Sequence, residues 1–146
     1  MRTLFTFLLS GLIIANAHAQ VDPSNNTSGA MITFASQVYD YGKIPKAGNG
    51  ECVFTYANTG NAPLVITSCK SSCGCVVASY DREPLPPGKS SVVRVRYDTN
   101  RPGPFTKTVT VESNAINTPI LVLRITGKVL PPMEEMPSDT LRSTDH

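Results

Sequence analysis

Tryptophan is absent from this 146-residue sequence, and aromatic residues make up only 7% of it. Charge is sparse as well, with Asp, Glu, Lys and Arg together at 16%. Histidine is scarcer still: His18 and His146 are the two it has. These shortages exclude chemistry. His18 falls in a leader expected to be removed and His146 is the last residue, so no histidine stands in the part that folds. A serine or cysteine nucleophile then has no imidazole base to activate it. Neither a Gly-rich phosphate loop nor an Asp-rich calcium loop occurs. Removing the leader with Arg2 leaves twelve basic against eleven acidic residues, a net charge of +1 with no basic cluster. Nothing there points to nucleic acid or to an anionic membrane surface.

Long apolar runs are missing too, with one exception at the start. Arg2 supplies a short positive region, Leu4 to Ala15 is an apolar run, and Ala17-His18-Ala19 gives the small-x-small pattern that a signal peptidase cuts. The run is too short to span a bilayer as a helix. Residues 1–19 therefore read as a signal peptide, and the expectation is an exported protein, periplasmic or secreted, starting near Gln20. Gln20 stands where a lipid-anchored protein would have cysteine. Residues 20–30 read as a flexible leader and 131–146 as a disordered tail, because neither could bury enough apolar surface to offset its ordering entropy. Residues 31–130 are left to form one domain. Two N-x-S/T patterns lie within Asn25-Asn26-Thr27-Ser28, and Asp139-Thr140-Leu141 looks like a short bacterial O-glycosylation acceptor.

Within that domain no helical period appears; the period is two. "LVLRITGKV" puts Leu121, Leu123, Ile125 and Val129 on one face and Val122, Arg124, Thr126 and Lys128 on the other. "FTKTVTVES" sets Phe105, Val109 and Val111 against Thr106, Thr108, Thr110 and Glu112. "SVVRVRYD" alternates Val93, Val95 and Tyr97 with Arg94 and Arg96, and "CVFTYAN" sets Cys52, Phe54 and Tyr56 on one face. Each is a strand with one dry and one wet face. Gly, Pro and Asn clusters separate them. Strands are expected at 31–35, 37–41, 51–58, 63–69, 76–80, 90–98, 105–113 and 119–129, the first two as one bent strand. The fold class is all-β, an immunoglobulin-like β-sandwich of about seven antiparallel strands.

In this order, "VYDYGKI", "FTYANTGNAPLVI", "SSCGC", "LPPGKSSVVRVRYD", "FTKTVTVESN" and "LVLRITGKV" resemble the pattern of the bacterial domain-of-unknown-function family 1573. The resemblance runs from about Phe34 to Val129. It implies a sandwich of the ASH/Hydin and major-sperm-protein kind, typically exported, with no enzymatic activity established. Related domains act as protein-binding or scaffold modules, an analogy of fold that does not by itself carry function. The family pattern includes the pair matching Cys73 and Cys75, usually has an apolar residue where Cys69 stands, and does not include Cys52. The resemblance thus implies that Cys52 and Cys69 belong together.

An oxidising compartment favours disulfides. In a hairpin turning at Gly60-Asn61, Cys52 would face Cys69; if the two segments lie in opposite sheets, both cysteines would still sit at the same end. Either way a bridge is expected within the roughly 4.4–6.8 Å Cα window. Such a bridge would stabilise by about 3 kcal/mol on the chain-entropy model. Cys73-Gly74-Cys75 stays open between three readings: a local bridge with no chemistry, a redox-active dithiol, or a soft-metal site for Cu(I). A closed zinc site on all four cysteines does not fit their spacing.

Elsewhere, Asp81 and Glu83 form a carboxylate pair in a loop, where a glycosidase would need two such groups across a cleft; beside "PLPPG" they read as turn chemistry. Arg94, Arg96, Arg124 and Lys128 lie on outward positions and could form a basic strip, with a solvated face as the default. The expectation is a non-enzymatic binding or structural module of the cell envelope, without cofactor and with no membrane span once the leader is cut. Its partner would be a protein or envelope component. The alternative is a periplasmic thiol protein using Cys73 and Cys75 for redox or copper binding.

Overall fold

The computed structural model describes residues 28–132. The signal peptide expected at residues 1–19, Asn25, Asn26, His146 and the acceptor expected at Asp139-Thr140-Leu141 lie outside the described residues. Eight strands form in the order β1 (Ile32–Phe34), β2 (Val38–Pro45), β3 (Glu51–Asn58), β4 (Ile66–Ser71), β5 (Val76–Tyr80), β6 (Ser90–Tyr97), β7 (Gly103–Ser113) and β8 (Ile120–Leu130). They make two four-stranded sheets, β1-β3-β6-β5 and β2-β8-β7-β4. The period-two reading holds: Cys52, Phe54, Tyr56, Val93, Val95, Tyr97, Phe105, Val109, Val111, Leu121, Leu123, Ile125 and Val129 are all buried between the sheets. Each fully buried aliphatic side chain contributes roughly 1.5–3 kcal/mol.

Three features differ from the expectation. Residues 31–41 are not one bent strand, because β1 pairs with β3 in the first sheet and β2 pairs with β8 in the second. The chain changes sheets at 35–37, where the Ser36 hydroxyl donates to the Val38 carbonyl at 2.8 Å and tightens the bend. The β2–β8 ladder is parallel, so the sandwich is not wholly antiparallel. Third, β3 and β4 do not form a hairpin, and residues 59–65 cross from the first sheet to the second. Leu64, buried at the crossing, exchanges both backbone hydrogen bonds with Leu85 (2.9 and 2.7 Å).

Asn58 fixes that crossing. Its side chain is fully buried, and its Nδ2 donates to the carbonyls of Ala62 (2.8 Å) and Leu85 (2.9 Å). Its Oδ1 accepts from the N–H groups of Gly60 (3.0 Å) and Met31 (3.4 Å). Gly60 is required beside it, since a Cβ there would fall 2.2 Å from the Gly29 carbonyl oxygen. At the other end of the sandwich the Phe105 ring stacks on Tyr97 with centroids 3.8 Å apart. Phe105 lies opposite Gly127 on β8, and a Cβ at Gly127 would come within 2.9 Å of that ring.

Candidate functional site

The β4–β5 connection carries the cysteine loop. Cys73 and Cys75 are joined as a disulfide, with Cα atoms 5.3 Å apart. The loop is tied down on both sides: the Ser71 hydroxyl donates to the Cys73 carbonyl (2.9 Å), and the Asp98 N–H donates to the Cys75 carbonyl (2.9 Å). Cys75 is buried and Cys73 half-buried, while an added Cβ at Gly74 would meet nothing within 4 Å. The bond occupies both sulfurs that a soft ion would require. Among the described residues no group of three or more His, Cys, Asp or Glu is placed to hold a metal ion.

Cys52 and Cys69 are free thiols, so the expected bridge between them is not present. The two strands lie in opposite sheets, and the cysteines do not meet at one end as expected: Cys52 stands opposite Val95 in the first sheet, and Cys69 opposite Val111 in the second. β4 sits at the far edge of its sheet, whereas Cys52 packs beside Tyr41 of β2 at the other edge. Burial pushes both thiols up, Cys69 from 9.0 to about 11. A raised thiol favours the folded state below the unfolded-state value and loses that preference as pH rises through the folded-state value. Unfolding free energy should therefore decline from about pH 9 to pH 11, as checked by urea titrations across that range. In the native protein both thiols should resist iodoacetamide, read by peptide mass mapping. Rapid labelling of either at neutral pH would contradict this placement.

Beside the disulfide a cleft of ≈ 410 Å³ opens between the β2–β3 loop (Gly48 to Gly50), Gly74, Cys75 and Tyr97 to Asn100. Gly50 forms its floor because its carbonyl accepts from the Tyr41 hydroxyl (2.7 Å) and the Tyr97 N–H (2.9 Å). A second cleft of ≈ 410 Å³ runs on across the outer face of the first sheet, past Val53, Ser79 and Arg94. Asn49, Glu51, Val77 and Arg96 line both, so the two are continuous. On this face Glu51, Arg96 and Val77 form one cross-strand row, and Val53, Arg94 and Ser79 the next. Val77 is 65% exposed and Val53 53%.

The basic strip does not form as one surface. Arg94 and Arg96 belong to the outer face of the first sheet, while Arg124 and Lys128 lie on β8 of the second, opposite Thr108 and Pro104. Asp81 and Glu83 share a separate cleft of ≈ 470 Å³ with Arg82 and Ser91. The Asp81 carboxylate there accepts from the Ser91 hydroxyl at 2.9 Å. Lys107 was overlooked in the strand pattern, although it falls on the same parity as Phe105 and Val109. It is half-buried and lies along β7 in the direction of the cysteine loop, one residue past Thr108, whose carbonyl accepts from the Ser72 N–H (2.9 Å).

The family model described as "Protein of unknown function (DUF1573)" matches residues 32–129. No curated protein matches the chain. Among solved structures, a protein of unknown function from Porphyromonas gingivalis W83 is similar with 16% identity and a TM-score of 0.62, over 75% of this chain and 51% of that one. The ASH/PapD-like domain 7 of human CEP192 is similar with 11% identity and a TM-score of 0.60, over 87% of this chain and 99% of that domain. The VesB protease of Vibrio cholerae is similar with 20% identity and a TM-score of 0.57, over 67% of this chain and 32% of the protease. The chain thus spans about half of the first relative and a third of the protease; at these identities the likeness is one of fold.

Proposed function

Because the chain belongs to the DUF1573 family, whose description assigns no activity, we propose a role for it from the site itself: an exported, non-enzymatic binding module of the cell envelope. Its contact surface is the trough on the outer face of the first sheet. The carrying observation is that two exposed valines border a continuous cleft, with an arginine in each cross-strand row. Apolar side chains held open on a rigid sheet and flanked by polar groups are what a protein interface uses. A signal peptide at residues 1–19 would direct the chain across the inner membrane, and cleavage after Ala19 would release the domain there. Among the described residues no helix is long and apolar enough to cross a membrane.

A photo-reactive residue at Val77 should give discrete adducts in the envelope of cells expressing the full chain. The same residue at Val122, exposed on the opposite face, should give none. Equal labelling at both positions, or none at Val77, would sink the reading.

A second reading is thiol–disulfide exchange at Cys73–Cys75. Favouring it is the disulfide between Cys73 and Cys75 across one intervening residue, with Cys73 half-buried rather than enclosed in the core. In that reaction a partner thiolate attacks the Cys73 sulfur, the S–S bond breaks and Cys75 leaves as thiolate. The partner's second thiolate then attacks its own sulfur in the mixed disulfide, releasing Cys73. Two electrons pass to the cysteine pair, the partner leaves oxidised, and its two protons end on Cys73 and Cys75. The readings separate cleanly. The double variant Cys73→Ser/Cys75→Ser should keep the Val77 adducts if binding is the function, and should abolish oxidation of a dithiol peptide if exchange is.

A further inference from the structure

Arg94 and Arg96 stand two residues apart on β6, an inner strand of the first sheet, and project to the same outer face. Among the described residues the ion pairs are Lys70–Glu112 (3.4 Å) and Arg101–Asp98 (3.1 Å), so neither of these two guanidinium groups is engaged. We infer that this face takes an extended acidic peptide segment whose carboxylates recur at every second residue. The inference rests on the binding role proposed above and names the chemistry of its partner.

Spacing supports that occupant. Residues i and i+2 of a strand lie about 6.6–6.8 Å apart on one face, so two such arginines match the repeat of alternate side chains in an extended ligand. A guanidinium presents a planar fork that a carboxylate meets through two parallel hydrogen bonds. Arg94 is the stronger seat, because its cross-strand neighbours are Val53 and Ser79, both uncharged. Arg96 has Glu51 opposite it, which offsets part of its charge without forming an ion pair. Val53 and Val77 lie on either side of the two arginines, where their exposed methyl groups would meet the aliphatic stems of the carboxylate side chains.

The opposite face of the sandwich lacks this arrangement. There the basic residues of β8, Arg124 and Lys128, stand four residues apart with Thr126 between them bonded to Thr106 (3.2 Å), and Lys70 on β4 is held by Glu112. An anionic lipid surface would call for several clustered basic residues. The trough has two, with an acid beside them.

The test is fluorescence anisotropy with the full mature chain, disulfide intact, and dye-labelled peptides of alternating glutamate and threonine. Peptides with glutamine or lysine in place of glutamate are the comparators. The glutamate peptide should bind about tenfold more tightly than either, and should weaken as salt rises from about 50 to about 500 mM. The double variant Arg94→Gln/Arg96→Gln should lose that preference, with an unchanged urea midpoint. Arg124→Gln/Lys128→Gln on the other face should keep it, and Glu51→Gln should tighten binding. Equal affinity for all three peptides would overturn the inference. So would an arginine variant that binds as before, or one that instead loses binding to phosphatidylglycerol vesicles. Val77 adducts without a charge preference would leave the binding role standing and remove the acidic partner. A charge preference without adducts would keep the site and remove the envelope role.

Discussion

Replacing Asn58 by alanine is expected to destabilise the domain by about 3–4 kcal/mol, lowering its melting temperature by roughly 15–25 °C. Among the described residues, the Asn58 side chain is the one fully buried polar group that ties three separate segments together. Its amide donates to the Ala62 and Leu85 carbonyls and accepts from the Gly60 and Met31 N–H groups. Alanine would strand the Ala62 carbonyl and the Gly60 N–H without partners, each costing roughly 1–3 kcal/mol. Leu85 would suffer less, because its carbonyl also accepts from Leu64. Against a total of roughly 5–15 kcal/mol for a domain of this kind, such a loss is large. Asn58→Asp should cost at least as much near neutral pH, since it sets a buried carboxylate oxygen against the Ala62 and Leu85 carbonyls. Thermal and urea unfolding of the three proteins would decide it; an alanine variant within 1 kcal/mol of the parent would show that the crossing is held by Leu64 instead.

Phe105→Ala is expected to cost about 3–5 kcal/mol. The ring is the centre of an aromatic group at the end of the sandwich where the clefts open, stacked on Tyr97 and tilted against Tyr41 at 5.7 Å. Two effects add. Transferring the ring to water loses its burial, and Gly127 opposite has no side chain that could move into the space. Because Tyr97 lines the cleft beside the disulfide, the same variant should loosen the Cys75–Asp98 contact. Faster hydrogen exchange at the Asp98 amide would register that change. A melting temperature unaffected by the substitution would mean that Tyr41 and Tyr97 repack over the gap.

Most of the architecture was legible in the sequence because its strands each have one dry face. Where that alternation is strong, as in Leu121, Leu123 and Ile125, strand position and facing follow directly from period two. Pairing did not follow. Whether 51–58 and 63–69 form a hairpin or cross between sheets depends on what Asn58 and Leu64 bond to, and those partners are 27 and 21 residues away in the chain. An asparagine in "NTGNAP" reads as a turn residue whether its side chain faces water or the interior. The Cys52–Cys69 expectation allowed for either topology and failed on placement, because Cys69 lies on the β4 edge while Cys52 packs toward β2 at the other. The arginine row tells a similar story: the parity of Arg94 and Arg96 was plain, but Val53 and Val77 join them only once the order β3-β6-β5 is known. Lys107 alone was within reach, since its parity with Phe105 is local.

The parallel ladder between β2 and β8 has a mechanical consequence. These strands lie near the two ends of the folded region, and their register runs from Val38↔Arg124 to Pro45↔Leu130. Tension drawing those ends apart would pull β2 and β8 in opposite directions along their common axis. The cross-strand bonds would then be loaded together in shear, rather than opened one after another as in an antiparallel pair pulled from its open end. Short β1, with three residues, would peel first and leave the shear ladder to bear the force. A domain so connected is suited to holding two tethered points at a fixed distance.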